Sequence, residues 1–300
     1  MKEKDIFTLK EWCKENIQSN FSENSLKDIE NLFNAYERLN SETSLSTIFD
    51  TDLDYNVLHQ ASKLGFDCFI ANSLVTYNGD VSQLLMSKSK SGNTPLHVAA
   101  LFGNLPALEI LLDRCPNAAN EFNQAGKLPI HLAAVKNKMD EKLNCVKKLL
   151  PKTNKKALTH EDNAGMSLLL SLVAFDNIQI MEDILKEDPK LISLSDMKGQ
   201  NILHLAIIQQ CPKLLDHFLS NKQLMMQTTS NNSTTLHLAC RYGEENVIRK
   251  VLKETPENSR TIKDEHSKQP SDYIAQRSSK FSQSLLDEFD IPRNNHVPRN

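Results

Sequence analysis

The sequence predicts an all-α protein, a solenoid of about six to seven helix-turn-helix units preceded by an N-terminal helical extension. Two patterns lead to this prediction. A motif built on Pro-Leu-His and Leu-Ala-Ala recurs along the chain, and a pair of large apolar residues follows most copies at a constant distance. Glycine is scarce, with 8 residues in 300, which favours helices joined by short loops over a turn-rich β fold.

The recurring motif is clearest at 92–100, which reads Gly-Asn-Thr-Pro-Leu-His-Val-Ala-Ala. Proline suits the first helical turn, where no amide hydrogen is required, and the preceding threonine can cap the helix. The histidine position recurs with spacings of 33 to 39 residues, which cluster at or just above a repeat length of about 33. The seven positions are His59, His97, His131, Leu170, His204, His237 and Asp272.

The apolar pair provides a second test of this register. Leu111–Leu112 lies 14 and 15 residues after His97, and three later units have a pair at the same offset. In the third unit the pair comes four residues later, which predicts an enlarged turn around 137–144. In the first unit we expect the surplus residues after the second helix, around 77–86.

Together these motifs resemble the ankyrin-repeat family over residues 51–289. The resemblance implies that the motif histidines are structural, because in that family the imidazole bonds loop backbone and ties adjacent units together. Asn232 departs from the family pattern, since it stands where glycine usually makes the turn.

The two ends of the chain lie outside the repeat. Residues 1–50 carry amphipathic helical patterns and form either a cap over the first repeat or a second docking site. Near the other end, Leu285, Leu286 and Phe289 predict a closing helix, and 290–300 a mobile tail.

Composition and motif searches predict no catalytic residues, no metal site and no cofactor. The six cysteines show no metal or redox spacing, and no phosphate-binding loop or nucleophile motif is present. A net charge of −3 gives no reason to expect nucleic acid, and no apolar run is long enough to span a membrane. We therefore expect a soluble, cytoplasmic monomer that binds another protein.

The candidate contact residues follow from the family resemblance. In ankyrin proteins the concave face is formed by loop tips and by the two positions after the Ala-Ala pair, and here each such pair contains an apolar or aromatic residue. Such a row is typical of a protein-binding patch, although packing between units could also explain it. The predicted contact residues are Leu64, Leu101, Phe102, Lys136, Phe175, Ile208, Gln209, Arg241 and Tyr242.

The function that these features favour is a non-enzymatic adaptor or scaffold. A narrower hypothesis is an effector that an intracellular bacterium secretes into a host cell, suggested by an Asn-, Lys- and Ser-rich chain with divergent repeats. The alternative is an enzyme whose unrecognised catalytic site lies in residues 1–50 or across the irregular repeats.

Overall fold

A computed structural model describes residues 56–76, 80–134, 139–154 and 160–291. The chain divides into two compact units, Met1–Ala157 and Leu158–Asn300. The described residues are helical and contain no strand, only an isolated bridge between Glu161 and Ser167. The all-α prediction is thus confirmed for this part of the chain, whereas the N-terminal extension and the tail at 292–300 lie outside it.

The first unit contains the first three repeats, each with an inner helix that carries the motif and an outer helix that follows it. The first repeat adds a short third helix, and 3-10 turns follow the outer helices of the second and third. The helices are α1 (Val57–Leu64), α2 (Asp67–Thr76), α3 (Val81–Met86), α4 (Pro95–Phe102), α5 (Leu105–Arg114), α6 (Pro129–Ala133) and α7 (Met139–Leu149).

The second unit contains the remaining four repeats in the same alternation of inner and outer helices. Its inner helices are α8 (Leu168–Ser171), α10 (Ile202–Ile208), α13 (Thr235–Tyr242) and α15 (Pro270–Gln276). Its outer helices are α9 (Ile178–Glu187), α11 (Pro212–Phe218), α14 (Glu245–Glu254) and α16 (Gln283–Asp287), with α12 (Lys222–Met226) following α11.

The motif residues start the inner helices as the sequence predicts. In α4 the Thr94 hydroxyl accepts a hydrogen bond from the His97 amide at 3.4 Å, while the Thr94 amide donates to Nδ1 of His97 at 3.2 Å. Pro95 occupies the first helical position, where an amide hydrogen would have no partner. Asn56, Asn201 and Thr234 cap their helices in the same way.

Within each unit the inner helices pack on one another, α1 on α4 on α6 in the first and α10 on α13 on α15 in the second. The small residues of the motif allow this close approach, and Ala99 and Ala100 are fully buried. The apolar pairs bury the outer helices, as at Leu111 and Leu112. A single repeat cannot bury such a face alone, so the core forms only between neighbours.

The first and third repeats are longer than the others. The predicted position of the extra residues, after the second helix, is confirmed for the first repeat, whereas the enlarged turn predicted for the third is wrong. In the first repeat the surplus includes α3, where Leu84 and Leu85 are buried. In the third, residues 139–144 belong to α7 instead of an enlarged turn, and α7 begins eight residues after His131, as α5 does after His97. The residues buried 14 and 15 positions after His131 are Cys145 and Val146. The rest of that predicted turn, 135–138, lies outside the described residues.

The fourth repeat, which has Leu170 at the histidine position, has a modified inner helix. Leu170 is buried, and α8 gives way to a 3-10 turn at Leu172–Phe175. Asp176 then adopts a left-handed conformation (φ 47°) at a position where Gly65 and Gly103 stand in other repeats. Its carboxylate accepts hydrogen bonds from the amides of Lys213 and Leu214, at 3.2 and 2.8 Å, and so caps α11 of the next repeat.

The predicted closing helix is present as α16, with Leu285 and Leu286 buried and Phe289 just beyond its end. Ser282 links it to α14, because its amide and hydroxyl donate to the Glu245 carboxylate at 2.9 and 2.6 Å. These bonds, together with Arg249, lower the pKa of Glu245 to about 2.

Candidate protein-binding surface

In the described residues a short hairpin loop precedes each inner helix from the second repeat onward, and its first residue fixes its shape. In the loop 196–200 the Asp196 carboxylate accepts hydrogen bonds from the amides of Lys198 and Gln200, at 2.9 and 2.8 Å. Only a side chain with an oxygen close to its backbone can close a turn in this way. This position is not among the predicted ones, although it lies three residues before the residue that makes the turn. The equivalent residues are Ser89, Asn123, Asp162, Asp196, Thr229 and Asp264.

The fourth residue of each loop has a left-handed backbone. At Gly92 (φ 75°) an added Cβ would lie 2.7 Å from the Gln124 amide nitrogen, so glycine is required for the loops to approach. Asn232 has the same conformation (φ 55°). The substitution noted in the sequence therefore leaves the turn intact, and the Asn232 side chain adds a bond to the Lys263 carbonyl at 2.7 Å.

Backbone hydrogen bonds join neighbouring loops into a row inside each unit. The Gln124 amide donates to the Ser91 carbonyl at 3.1 Å in the first unit, and the Ser230 amide to the Lys198 carbonyl at 2.8 Å in the second. The loop tips are thus held at fixed spacing beside the inner helices. A rigid row of this kind suits a binding surface, because little conformational entropy is lost when a partner binds.

Three motif histidines tie their repeats to the next hairpin loop. The Nε2 atoms of His59, His97 and His237 lie 2.8 to 3.0 Å from the carbonyl oxygens of Asn93, Lys127 and Lys268. A carbonyl only accepts, so Nε2 carries the proton and Nδ1 accepts from the backbone amide at the helix start. Burial lowers the pKa of His59 and His97 to about 4, which keeps both rings neutral.

The remaining two motif histidines share only part of this arrangement. His131 accepts from the Leu128 amide and His204 from the Asn201 amide, both at 3.2 Å. For His204, no Nε2 bond reaches across to the loop that follows in the described structure. The structural role predicted for the histidines therefore holds fully for three rings, while these two show the bond to their own helix start.

In the first unit, the predicted contact residues lie at the ends of inner helices. Leu64 ends α1, and Leu101 and Phe102 end α4; all three are half-buried. Glycines in the left-handed conformation follow both helices and turn the chain away, so these side chains mark the helix ends. Lys136 lies outside the described residues.

In the second unit, the predicted contact residues also lie at or near the ends of the inner helices, and the two in the sixth repeat are the more exposed. Phe175 ends the 3-10 turn of the fourth repeat, Ile208 ends α10 and Gln209 follows it, all half-buried. Arg241 and Tyr242 end α13 and are exposed, with 41% of Tyr242 accessible. Partial burial means that packing already uses part of each half-buried side chain, whereas Arg241 and Tyr242 are more exposed.

A shallow apolar groove runs beside Tyr242. It has a volume of about 190 Å³, and its walls come from α10, α11, α13 and α14. Ile207, Leu215 and Val247 contribute the apolar lining. An exposed aromatic ring at the edge of an apolar groove is an arrangement that protein interfaces often use.

Comparison with known families identifies this repeated arrangement. A family model for ankyrin repeats, in three copies, matches residues 58–160 and 168–264. The chain belongs to the ankyrin-repeat family. This confirms the resemblance found in the sequence, and ankyrin repeats indicate a protein–protein interaction module in a family that is generally non-enzymatic.

The curated ankyrin-repeat relatives are much longer proteins. The chain is 29% identical to human Rabankyrin-5 over 168 residues and 26% identical to mouse Rabankyrin-5 over 167. Each match covers 55% of this chain and 14% of the relative. A poly [ADP-ribose] polymerase tankyrase from Caenorhabditis elegans is 30% identical over 128 residues, which is 40% of this chain and 5% of that protein.

The next feature is the arrangement of potential metal ligands and nucleophilic thiols in the described repeats. Among the described residues, no three His, Cys, Asp or Glu side chains cluster as metal ligands would, and no helix is long and apolar enough to cross a membrane. Cys145 and Cys240 are buried, and burial raises the pKa of both thiols, that of Cys145 to about 11. Both are therefore protonated at neutral pH and poor nucleophiles.

Proposed function

We propose that this chain is a non-enzymatic adaptor or scaffold that binds a protein partner along the ends of its inner helices. This is the concave face in ankyrin-repeat proteins. The observation that carries the proposal is the placement of Phe102, Phe175 and Tyr242, each five residues after the motif histidine position. Phe102 and Tyr242 end inner helices, and Phe175 ends the 3-10 turn that follows α8. Aromatic rings cover large areas at low entropic cost, so they often dominate interfaces.

The exposure of the three rings ranks their expected contributions. Tyr242 has 41% of its surface accessible and borders an apolar groove, whereas Phe102 and Phe175 are half-buried. A central interface anchor must have surface left to bury, so we assign the main contact to Tyr242 and Arg241. Leu64, Leu101, Ile208 and Gln209 supply surrounding contacts in this proposal.

The narrower hypothesis of a bacterial effector acting on a host protein rests on composition and on the divergent repeats. The three relatives described above are animal proteins and lend it no support. The same holds for secretion into a host cell. We propose that the binding form is a cytoplasmic monomer, and that residues 1–50 cap the first repeat or provide a second docking site.

The test compares partners recovered by the wild-type chain and by contact-residue variants. The full chain is used as bait in co-precipitation, and recovered proteins are quantified by mass spectrometry. A Phe102→Ala, Phe175→Ala, Tyr242→Ala variant should lose specific partners while keeping its circular dichroism spectrum. Met226→Ala is the matched control, because Met226 is an exposed apolar residue (53%) outside the proposed surface. Equal recovery by the triple variant would reject the surface and favour residues 1–50.

A further inference from the structure

A basic pocket lies at the inner ends of the sixth and seventh repeats. Its volume is about 620 Å³, and it is lined by Arg241, His266, Lys268, Tyr273, Gln276 and Arg277. Gln276 and Arg277 follow Asp272 at the offsets by which Arg241 and Tyr242 follow His237. The seventh repeat therefore has its own pair of contact positions, which the predicted contact residues do not include.

Two of the cations are arranged around a single aromatic ring. The Arg241 guanidinium carbon lies 5.6 Å from the centroid of Tyr273, and the Lys268 ammonium lies 5.3 Å from it. The Tyr273 hydroxyl donates to the Asp264 carboxylate at 2.5 Å. Burial and this bond raise the pKa of Tyr273 to about 12, so the ring remains a neutral platform for both cations.

The side chain of the third cation, Arg277, is held by two contacts with neighbouring residues. Its Nη1 donates to the Cys240 carbonyl at 2.8 Å, and its guanidinium carbon lies 4.9 Å from the centroid of Phe281. This uses a single one of its several N–H donors, so the others can bind a ligand without prior ordering of the side chain.

The carboxylates near the pocket are already engaged elsewhere. Asp264 accepts from Tyr273 and from the amides of His266 and Lys268, while Asp272 accepts from the Gln269 amide at 2.7 Å. Glu265 lies 3.4 Å from the His266 ring. Within the described residues no carboxylate forms an ion pair with Arg241, Lys268 or Arg277, so these cations have no direct acidic partner there.

We propose that this pocket binds the acidic side chains of a peptide segment in the protein partner. Arginine side chains suit carboxylates because two parallel N–H groups match the two oxygens. Arg241 also lies over the Tyr242 ring, 5.3 Å from its centroid, so the basic pocket adjoins the apolar groove beside Tyr242. The segment it fits therefore carries Asp or Glu next to a large apolar residue. This inference rests on the proposed function and specifies its partner.

The probe is a random dodecapeptide library displayed on phage and selected against the full chain. Selected peptides are then synthesised, and their affinities are measured by fluorescence anisotropy. We expect enrichment of Asp and Glu beside an apolar residue, and affinity that falls as salt is raised. Arg241→Glu should weaken binding by at least about tenfold, and Lys268→Gln should weaken it in the same direction. Lys253→Glu is the matched control, because Lys253 is exposed and does not line the pocket.

The other outcomes separate this inference from the proposed function. Peptides without acidic enrichment that still lose affinity in Tyr242→Ala would overturn the basic pocket and leave the binding surface standing. Acidic peptides that bind equally well to folded Arg241→Glu would also overturn the pocket. A phosphorylated peptide that binds more than tenfold tighter than its Glu counterpart would overturn the assignment to carboxylates. If the selected peptides bind Arg241→Glu, Lys268→Gln and Tyr242→Ala with wild-type affinity, both proposals are rejected.

Discussion

The Nε2 atom of His97 lies 3.0 Å from the carbonyl oxygen of Lys127, which belongs to the hairpin loop of the next repeat. The other ring nitrogen accepts from the amide of Thr94 at the start of its own helix. One buried side chain therefore satisfies two backbone groups that belong to different repeats. Such ties add to the backbone hydrogen bonds that join neighbouring loops.

Replacing His97 with alanine should destabilise the chain substantially. It leaves the Thr94 amide and the Lys127 carbonyl without their buried partner and opens a cavity, at a cost of roughly 2–4 kcal/mol. Urea denaturation followed by circular dichroism measures this loss. His217→Ala is the control, because His217 is exposed beside Glu182 and such surface pairs contribute at most about 1 kcal/mol. Equal stability of the two variants would contradict the structural role.

Stability should fall as the solution is acidified below neutral pH. Burial lowers the pKa of His59, His97 and His204 to about 4, whereas the unfolded chain titrates near 6.5. Between these values the unfolded state binds more protons, so stability is full above 6.5 and is lost as pH falls towards 4. Each ring contributes up to roughly 1.4 kcal/mol per pH unit in that window. Denaturation at several pH values gives the free energy of unfolding as a function of pH, and its slope should be shallower for His97→Gln than for the wild type. Identical slopes would show that protonation of His97 does not cause the loss of stability.

The repeat register was predictable because proline, threonine, histidine and alanine each have a local role near helix starts. The hairpin loops were missed because Ser89, Asn123 and Asp264 share no residue type, only a side-chain oxygen close to the backbone. The regular start of α7 was also missed, because Leu149–Leu150 matches the apolar pairs by residue type, whereas Cys145 and Val146 are the residues buried at the regular offset from His131.

Asp176 offers a test of a device that the sequence did not reveal. Asp176→Ala should destabilise the chain by roughly 2 kcal/mol, because it removes the carboxylate that caps α11. It also leaves alanine, which has no polar side chain to form local hydrogen bonds, in the unfavourable left-handed conformation. Asp176→Gly also loses the cap, but glycine adopts the left-handed conformation without strain. Its stability should therefore lie between that of the wild type and that of the alanine variant. Thermal melts rank the three proteins. A glycine variant less stable than the alanine variant would show that the backbone conformation carries no strain.

Part of the candidate surface could be located from sequence, and part could not. The positions after the Ala-Ala pair identified Arg241 and Tyr242, since helical spacing places them at the helix end. Their exposure relative to Phe102 or Ile208 depends on how closely the next repeat packs, which one repeat's sequence does not encode. Arg277 was missed for the same reason, because its role depends on Cys240 and Phe281 from other segments.

The last prediction separates binding from stability at Tyr242. Tyr242→Ala should weaken partner binding by roughly 2 kcal/mol, about thirtyfold in affinity, if this ring is a central anchor. The melting temperature of this variant should move by only a few degrees, because 41% of the residue is already accessible in the folded chain. Tyr242→Phe keeps the ring over the groove and should retain most of the affinity.

Leu112→Ala is the opposite control, since Leu112 is 1% accessible and its loss should cost roughly 2–5 kcal/mol of stability. A Tyr242→Ala variant that melts as early as Leu112→Ala would show that the ring holds repeats together, and binding should then be assigned elsewhere.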